Sequence, residues 1–161
     1  MSNSFPELGF FLLDLILSFF VLIFTLRILL SMSSASANNP ITQTIIKISR
    51  PIRSLFLFIP NLGRFEFSSF MILFICHFLN IYTQSKLQGL AVIYEKMIIF
   101  SFKSSIFSLL NVLTIIFIIL AVSSWFVQSR QVNTNPVLDI VYQISNPLLY
   151  FIRRIIPTSV G

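Results

Sequence analysis

Residues 10–30 read FFLLDLILSFFVLIFTLRILL, and this stretch decides the fold class. As a helix it would rise about 31 Å, which is close to the thickness of the hydrocarbon core of a bilayer. The whole chain of 161 residues is 56% hydrophobic and only 10% charged, and a soluble domain of this length could not bury so much apolar surface. Disordered chains are polar and poor in aromatic residues, whereas this chain contains 19 Phe. The sequence therefore predicts an all-α, integral membrane protein that forms a single domain over residues 1–161.

Two further apolar runs predict spans at residues 65–82 and 106–127, which gives three transmembrane helices in all. The segment 87–102 between them is weaker, because Glu95 and Lys96 near its middle would each cost about 2.5 kcal/mol or more at the bilayer centre. It is interpreted either as an interfacial helix or as a helical extension that leads into the third span. The first span is expected to stay uncleaved, because no Lys or Arg precedes it as in a signal peptide.

The positive charge lies in short segments next to the apolar runs. Eleven Lys and Arg against five Asp and Glu give a net charge of +6. A basic nucleic-acid-binding protein would carry this excess on a polar scaffold, so no nucleic-acid contact is predicted, and the expected partner is the lipid bilayer with its anionic headgroups. The positive-inside bias places the N-terminus outside, and the loop 31–64 and the C-terminal segment in the cytoplasm of a multi-pass protein, although Lys86, Lys96 and Lys103 would then lie outside. The predicted lipid and topology cluster consists of Lys47, Arg50, Arg53, Arg64, Arg153 and Arg154.

A duplicated pattern divides the chain. NNPITQTIIKISRPIRSLFLFIPNLG at residues 38–63 is matched by TNPVLDIVYQISNPLLYFIRRIIPTSVG at residues 134–161. The match predicts two tandem repeats, one over about 10–82 and an incomplete one over about 106–161, joined by a linker or interfacial segment 83–105. Each repeat would consist of a transmembrane helix and an amphipathic helix. The recurring positions are Asn39, Pro40, Pro51, Pro60 and Gly63 in the first repeat, and Asn135, Pro136, Pro147, Pro157 and Gly161 in the second.

The amphipathic helices are predicted from their caps and their periodicity. Asn at the N-cap followed by Pro at the first helical position is a favourable helix start, and apolar residues then recur every three or four positions. Such a helix is expected to lie in the headgroup region, kinked at Pro51 or Pro147 and ended by Pro60 or Pro157. A span follows Gly63 but not Gly161, so we expect that a fourth span is missing, either through truncation or because the helix has been lost.

Few side chains offer chemistry. Asp14 and Arg27 are charges within the first span, and each lies close enough to an end of it to reach the membrane interface. Cys76-His77 is interpreted as a buried pair with a hydrogen-bonded histidine rather than as a haem or metal ligand, because no second histidine or clustered carboxylate accompanies it. Nucleophile, phosphate-loop and metalloprotease motifs are absent from the sequence. No enzymatic activity, cofactor or metal is therefore expected.

The two motifs together resemble the YggT family (also called YlmG) of small bacterial and plastid membrane proteins. The resemblance spans roughly residues 10–161, and members usually carry a further span after the second motif. It implies a bacterial inner-membrane protein without established enzymatic activity. Members have been linked to osmotic-stress tolerance, to cell division or chromosome organisation and, in chloroplasts, to cytochrome b-type maturation and nucleoid distribution.

Two functions remain open from the sequence. The first is a non-enzymatic membrane scaffold or assembly factor, because the best-defined parts of the duplicated pattern are the amphipathic helices. It would act with a membrane-protein partner or by self-association. The alternative is a small ion transporter or channel subunit, since repeats often place binding sites between their halves. The candidate polar residues inside the spans are Asp14, Thr25, Arg27, His77 and Asn80.

Overall fold

The computed structural model describes residues 4–126 and 135–155, and within them the regular structure is helical. The helices are α1 (Ser4–Ser33), α2 (Pro40–Ser54), α3 (Phe67–Leu87), α4 (Tyr94–Phe126) and α5 (Pro136–Ile155). Three of them are long and apolar enough to cross a membrane, over Leu8–Ser33, Phe67–Leu87 and Tyr94–Trp125. The all-α class and the three candidate spans are therefore confirmed, whereas the tandem repeat and the proline kinks stay predictions.

Helices α1 and α3 pack against each other in opposite directions. Asn80 Nδ2 of α3 donates to Asp14 Oδ1 of α1 at 2.5 Å, and Glu66, directly before α3, pairs with Arg27 further along α1. The apolar contact between them contains Phe24 and Leu73, both completely buried. This pairing brings the C-terminal end of α1 next to the N-terminal end of α3.

Helix α4 begins at Tyr94, not at the predicted position 106. Residues 94–102 of the weak segment are thus a helical extension of the third span, whereas Leu87 ends α3 and residues 88–93 connect the two helices, so a separate interfacial helix is not present there. Glu95 and Lys96 lie in the first turn of α4, which moves their charges away from the middle of the span. With 33 residues α4 is about 50 Å long, so it must tilt or project beyond a hydrocarbon core of about 30 Å.

The shorter helices α2 and α5 pack on the spans near the C-terminal end of α1. Ile45 of α2 and Ile144 of α5 are buried in one apolar cluster with Leu30 of α1 and Ile116 of α4. Part of each apolar face is therefore covered by protein. Toward the C-terminal end of α5 the apolar side chains are open, for example Phe151, which is 61% exposed, whereas Ile48 and Ile52 of α2 are half-buried.

Helix α2 ends earlier than its prolines suggest. It continues for one turn past Pro51 and stops at Ser54, where the backbone N–H of Leu55 bonds back to Ile52 and tightens the end. The prediction that Pro60 ends this helix is wrong, since Pro60 lies in the turn that follows it. Gly63, with a φ of +61°, closes that turn in a conformation that favours glycine.

Candidate functional site

The first polar cluster joins α1, α2 and the residue before α3, and we call it the polar clamp (Arg27, Ser49, Arg53, Glu66 and Ser69). Arg27 Nε donates to Glu66 Oε2 at 2.7 Å, and a second guanidinium nitrogen donates to the Ser49 hydroxyl. Ser69 Oγ donates to the same Glu66 oxygen at 2.7 Å. One buried guanidinium therefore links two spans and the first of the shorter helices.

Electrostatics favours the charged form of Glu66. Burial raises the pKa of this carboxyl, but the hydrogen bonds from Arg27 and Ser69 and the charges of Arg27 and Arg53 outweigh burial, so its pKa lies below the ordinary value. Arg53 Nε is 3.4 Å from Glu66 Oε2, which is close enough for an ion pair but lacks the alignment of a hydrogen bond. The Glu66 carboxylate thus pairs with two guanidinium groups, those of Arg27 and Arg53.

The clamp corrects the sequence interpretation of Arg27. We expected this side chain to reach the membrane interface, but it is only 8% exposed and its partner is a carboxylate 39 residues away. Glu66 was missed because it follows a basic loop and belongs to no recurring motif. The available signal was its position beside the second span, where an acidic residue can compensate an arginine within the first span.

The second polar cluster joins the N-terminal ends of α2 and α5, and we call it the cap joint (Ser36, Asn39, Pro136, Asp139 and Gln143). Asn39 Oδ1 accepts from the backbone N–H of Ile41 at 2.9 Å, as an N-cap does. Its amide nitrogen donates to Asp139 Oδ2 at 2.8 Å and to the carbonyl of Pro136 at 2.9 Å. The cap of one helix is therefore bonded to the first turn of the other.

Gln143 completes the cap joint. Its Nε2 donates to Asp139 Oδ1 at 2.7 Å, and its Oε1 accepts from the backbone N–H of Ser36 at 2.6 Å. Asn135 caps α5 by accepting from the backbone N–H of Val137 at 3.0 Å. Both predicted Asn-Pro helix starts are thus present as caps, but their contact with each other could not be read from either motif alone.

The predicted basic cluster does not act as one group. Arg53 is drawn toward Glu66 in the clamp, whereas Lys47, Arg50 and Arg64 are exposed. Arg153 and Arg154 are exposed in the last turn of α5. Pro157 and Gly161 lie outside the described residues.

Polar side chains within the spans bond in pairs. Asp14 bonds with Asn80, and His77 Nε2 lies 2.9 Å from Ser108 Oγ of α4. Thr25 Oγ1 donates back to the carbonyl of Val21. In the described part of the chain no three His, Cys, Asp or Glu side chains form a group that could hold a metal ion.

Three long apolar helices, with two shorter helices held on one end of them by the polar clamp and the cap joint, define an α-helical membrane protein. Comparison with known proteins then gives the family. The CCB3/YggT family profile matches residues 7–87 and 99–161, and the chain belongs to this family.

Curated relatives agree with this assignment. The chain is 26% identical to "Uncharacterized protein YggT" of Escherichia coli strain K12 over 159 residues, which cover 94% of this chain and 77% of the relative. The proteins with the same name from the O6:H1 strain CFT073 and from O157:H7 match equally well. No solved structure matches the chain.

Proposed function

We propose that this protein is a non-enzymatic scaffold or assembly factor of the bacterial inner membrane, in which α2 and α5 act as one platform. The observation that carries the proposal is the cap joint, because it fixes two helices from distant parts of the chain side by side. A rigid polar surface of this kind suits the recruitment of a membrane-protein partner or a second copy better than it suits chemistry.

The orientation in the membrane belongs to the same proposal. The N-terminus lies outside, and the loop 31–64 and the C-terminal segment face the cytoplasm, so the platform meets the cytoplasmic leaflet. Lys47, Arg50 and Arg64 are exposed there and meet anionic headgroups. The protein would act in the biological processes that the family resemblance implies, namely osmotic-stress tolerance or cell division and envelope processes.

The test breaks the cap joint without removing a helix cap. Asn39→Asp keeps the oxygen that caps Ile41 but loses the amide donor and places a second carboxylate against Asp139. Asn135→Asp is the matched control, since the described side-chain hydrogen bond of Asn135 is its cap to Val137. Growth at high osmolarity is measured in a bacterium that lacks its own family member, with membrane insertion checked by fractionation.

We expect Asn135→Asp to support growth as the wild type does and Asn39→Asp to fail although it inserts. Equal growth with both variants would contradict the platform.

Ion transport is the second candidate function, and the Asp14–Asn80 and His77–Ser108 pairs between spans favour it. Ion flux in proteoliposomes that Asp14→Ala abolishes would select transport instead of scaffolding.

A further inference from the structure

The turn between α2 and α3 exposes an unusual amount of apolar surface. Leu55 is 70% exposed, Leu57 63%, Phe58 79% and Leu62 68%. These residues do not belong to a lipid-facing side of a spanning helix, because α2 has ended and α3 has not yet begun. Large apolar side chains exposed together in one turn outside the spans indicate a contact surface.

The turn is held in place by its own hydrogen bonds. Leu62 and Phe65 exchange both backbone bonds, at 3.1 and 3.0 Å, and Ser31 Oγ of α1 donates to the carbonyl of Arg64 at 2.9 Å. Phe56 and Phe65 turn inward and pack against the apolar cluster between α1 and α3. The exposed side chains are therefore presented by a fixed turn.

Charge and position indicate what covers this turn. Arg50 and Arg64 are exposed on either side of it, and α3 starts at Phe67, so the turn lies where a spanning helix enters the bilayer. Apolar side chains flanked by arginines match the boundary between acyl chains and anionic headgroups. The end of α5 repeats the combination, with exposed Tyr150 and Phe151 followed by two arginines.

We propose that the α2–α3 turn is a wedge that inserts Leu55, Leu57, Phe58 and Leu62 into one leaflet of the membrane, with Arg50 and Arg64 bound to the phosphates of anionic lipids. The occupant is lipid, and a protein partner on this patch is the competing outcome of the test. The inference deepens the lipid contact in the proposed function and rests on it for the position of α2 at the membrane surface.

Tryptophan depth quenching tests the wedge. The chain carries a single Trp, so Phe58→Trp in a Trp125→Phe background gives one reporter at the tip of the turn. Gln43→Trp in the same background is the matched control, at an exposed polar position of α2 that has no part in the proposed lipid contact. The proteins are reconstituted into phosphatidylcholine–phosphatidylglycerol vesicles with lipids brominated at a shallow or a deep acyl position, and acrylamide serves as the aqueous quencher.

We expect brominated lipid to quench the Trp at position 58, most strongly at the shallow position, and acrylamide to quench the Trp at position 43. Quenching of the Trp at position 58 by acrylamide alone would overturn the wedge, because the turn would then lie in water and be free to bind a protein partner. Brominated phosphatidylglycerol should quench better than brominated phosphatidylcholine, with a local enrichment of about fivefold for each arginine.

Arg50→Gln with Arg64→Gln should remove that lipid preference, and an unchanged preference would overturn the role of the two arginines. The quenching result is separate from the growth test. If the quenching shows that the wedge inserts but Asn39→Asp still supports growth, the platform is refuted and the wedge stands.

Discussion

At the scale of single residues, the decisive contact is the one between Arg27 and Glu66. A charge inside a predicted span is visible in the sequence, and the need for a partner follows from its cost in a low-dielectric medium. The identity of the partner was not predictable, because the contact depends on how α1 and α3 pair. In the sequence, Ser49 was only a residue that both motifs share. Its hydrogen bond to Arg27 could not be predicted without knowing where α2 packs.

Removing the charge of Glu66 should destabilise the protein strongly. Glu66→Gln leaves the buried Arg27 guanidinium without a counter-charge, and breaking a buried pair in this way costs about 3 kcal/mol or more. Replacing both partners, as Arg27→Met with Glu66→Gln, should recover much of the loss, because the buried guanidinium is gone and only the more exposed Arg53 is left without its carboxylate. Thermal unfolding in detergent measures both effects.

Glu95→Gln, at an exposed position near the start of α4, is the control and should change the thermal stability little.

The pH dependence of stability gives a second check. The pKa of Glu66 is lowered by folding, so its contribution is complete above the ordinary value of 4.5 and is lost as the pH falls through the lower folded value. The difference in thermal stability between the wild type and Glu66→Gln should become smaller in that acidic range. A difference in stability that does not change with pH would contradict the ion pair.

At the scale of elements, the periodicity and the Asn-Pro caps predicted the existence of α2 and α5 and where they begin. The ends were less predictable, because α2 stops at Ser54 in a tightened turn and not at Pro60. The start of α4 was misplaced because Glu95 and Lys96 weaken the hydropathy of a turn that is still helical. Hydropathy detects burial in lipid, whereas helix boundaries follow local hydrogen bonds and caps.

Helices α2 and α5 are attached to the spans by different contacts, although their sequences correspond. Ser49 and Ser145 are both fully buried and both donate back to a carbonyl of their own helix at 2.6 Å. Ser49 also receives the bond from Arg27. Because it leaves a charged donor unpaired, Ser49→Ala should cost about 1.5–3 kcal/mol, whereas Ser145→Ala should be close to neutral.

Chemical denaturation of the two purified variants in the same detergent compares these costs. A loss of stability that is equal in Ser49→Ala and Ser145→Ala would show that the two serines act only through their own helices. The hydrogen bond from Arg27 to Ser49 would then contribute nothing to the attachment of α2.

At the scale of the whole molecule, composition was sufficient to predict a membrane protein, the apolar runs to predict three spans, and the doubled motif to suggest the family. The arrangement of the helices was not available from either, because it depends on contacts between residues about 100 positions apart, such as Asn39 with Asp139. Caps are local features, and their mutual contact is a property of the folded chain. The joined platform is therefore the central claim at this scale.

A cross-link across the cap joint tests that claim most directly. Asn39→Cys with Asp139→Cys is made in a Cys76→Ser background, which removes the single native cysteine, and membranes are treated with a short thiol-specific cross-linker. Asp14→Cys with Asn80→Cys is the reference pair within the spans. The account predicts an efficient cross-link within one chain for both pairs. Cross-linking of the reference pair alone, or products only between two chains at positions 39 and 139, would contradict it.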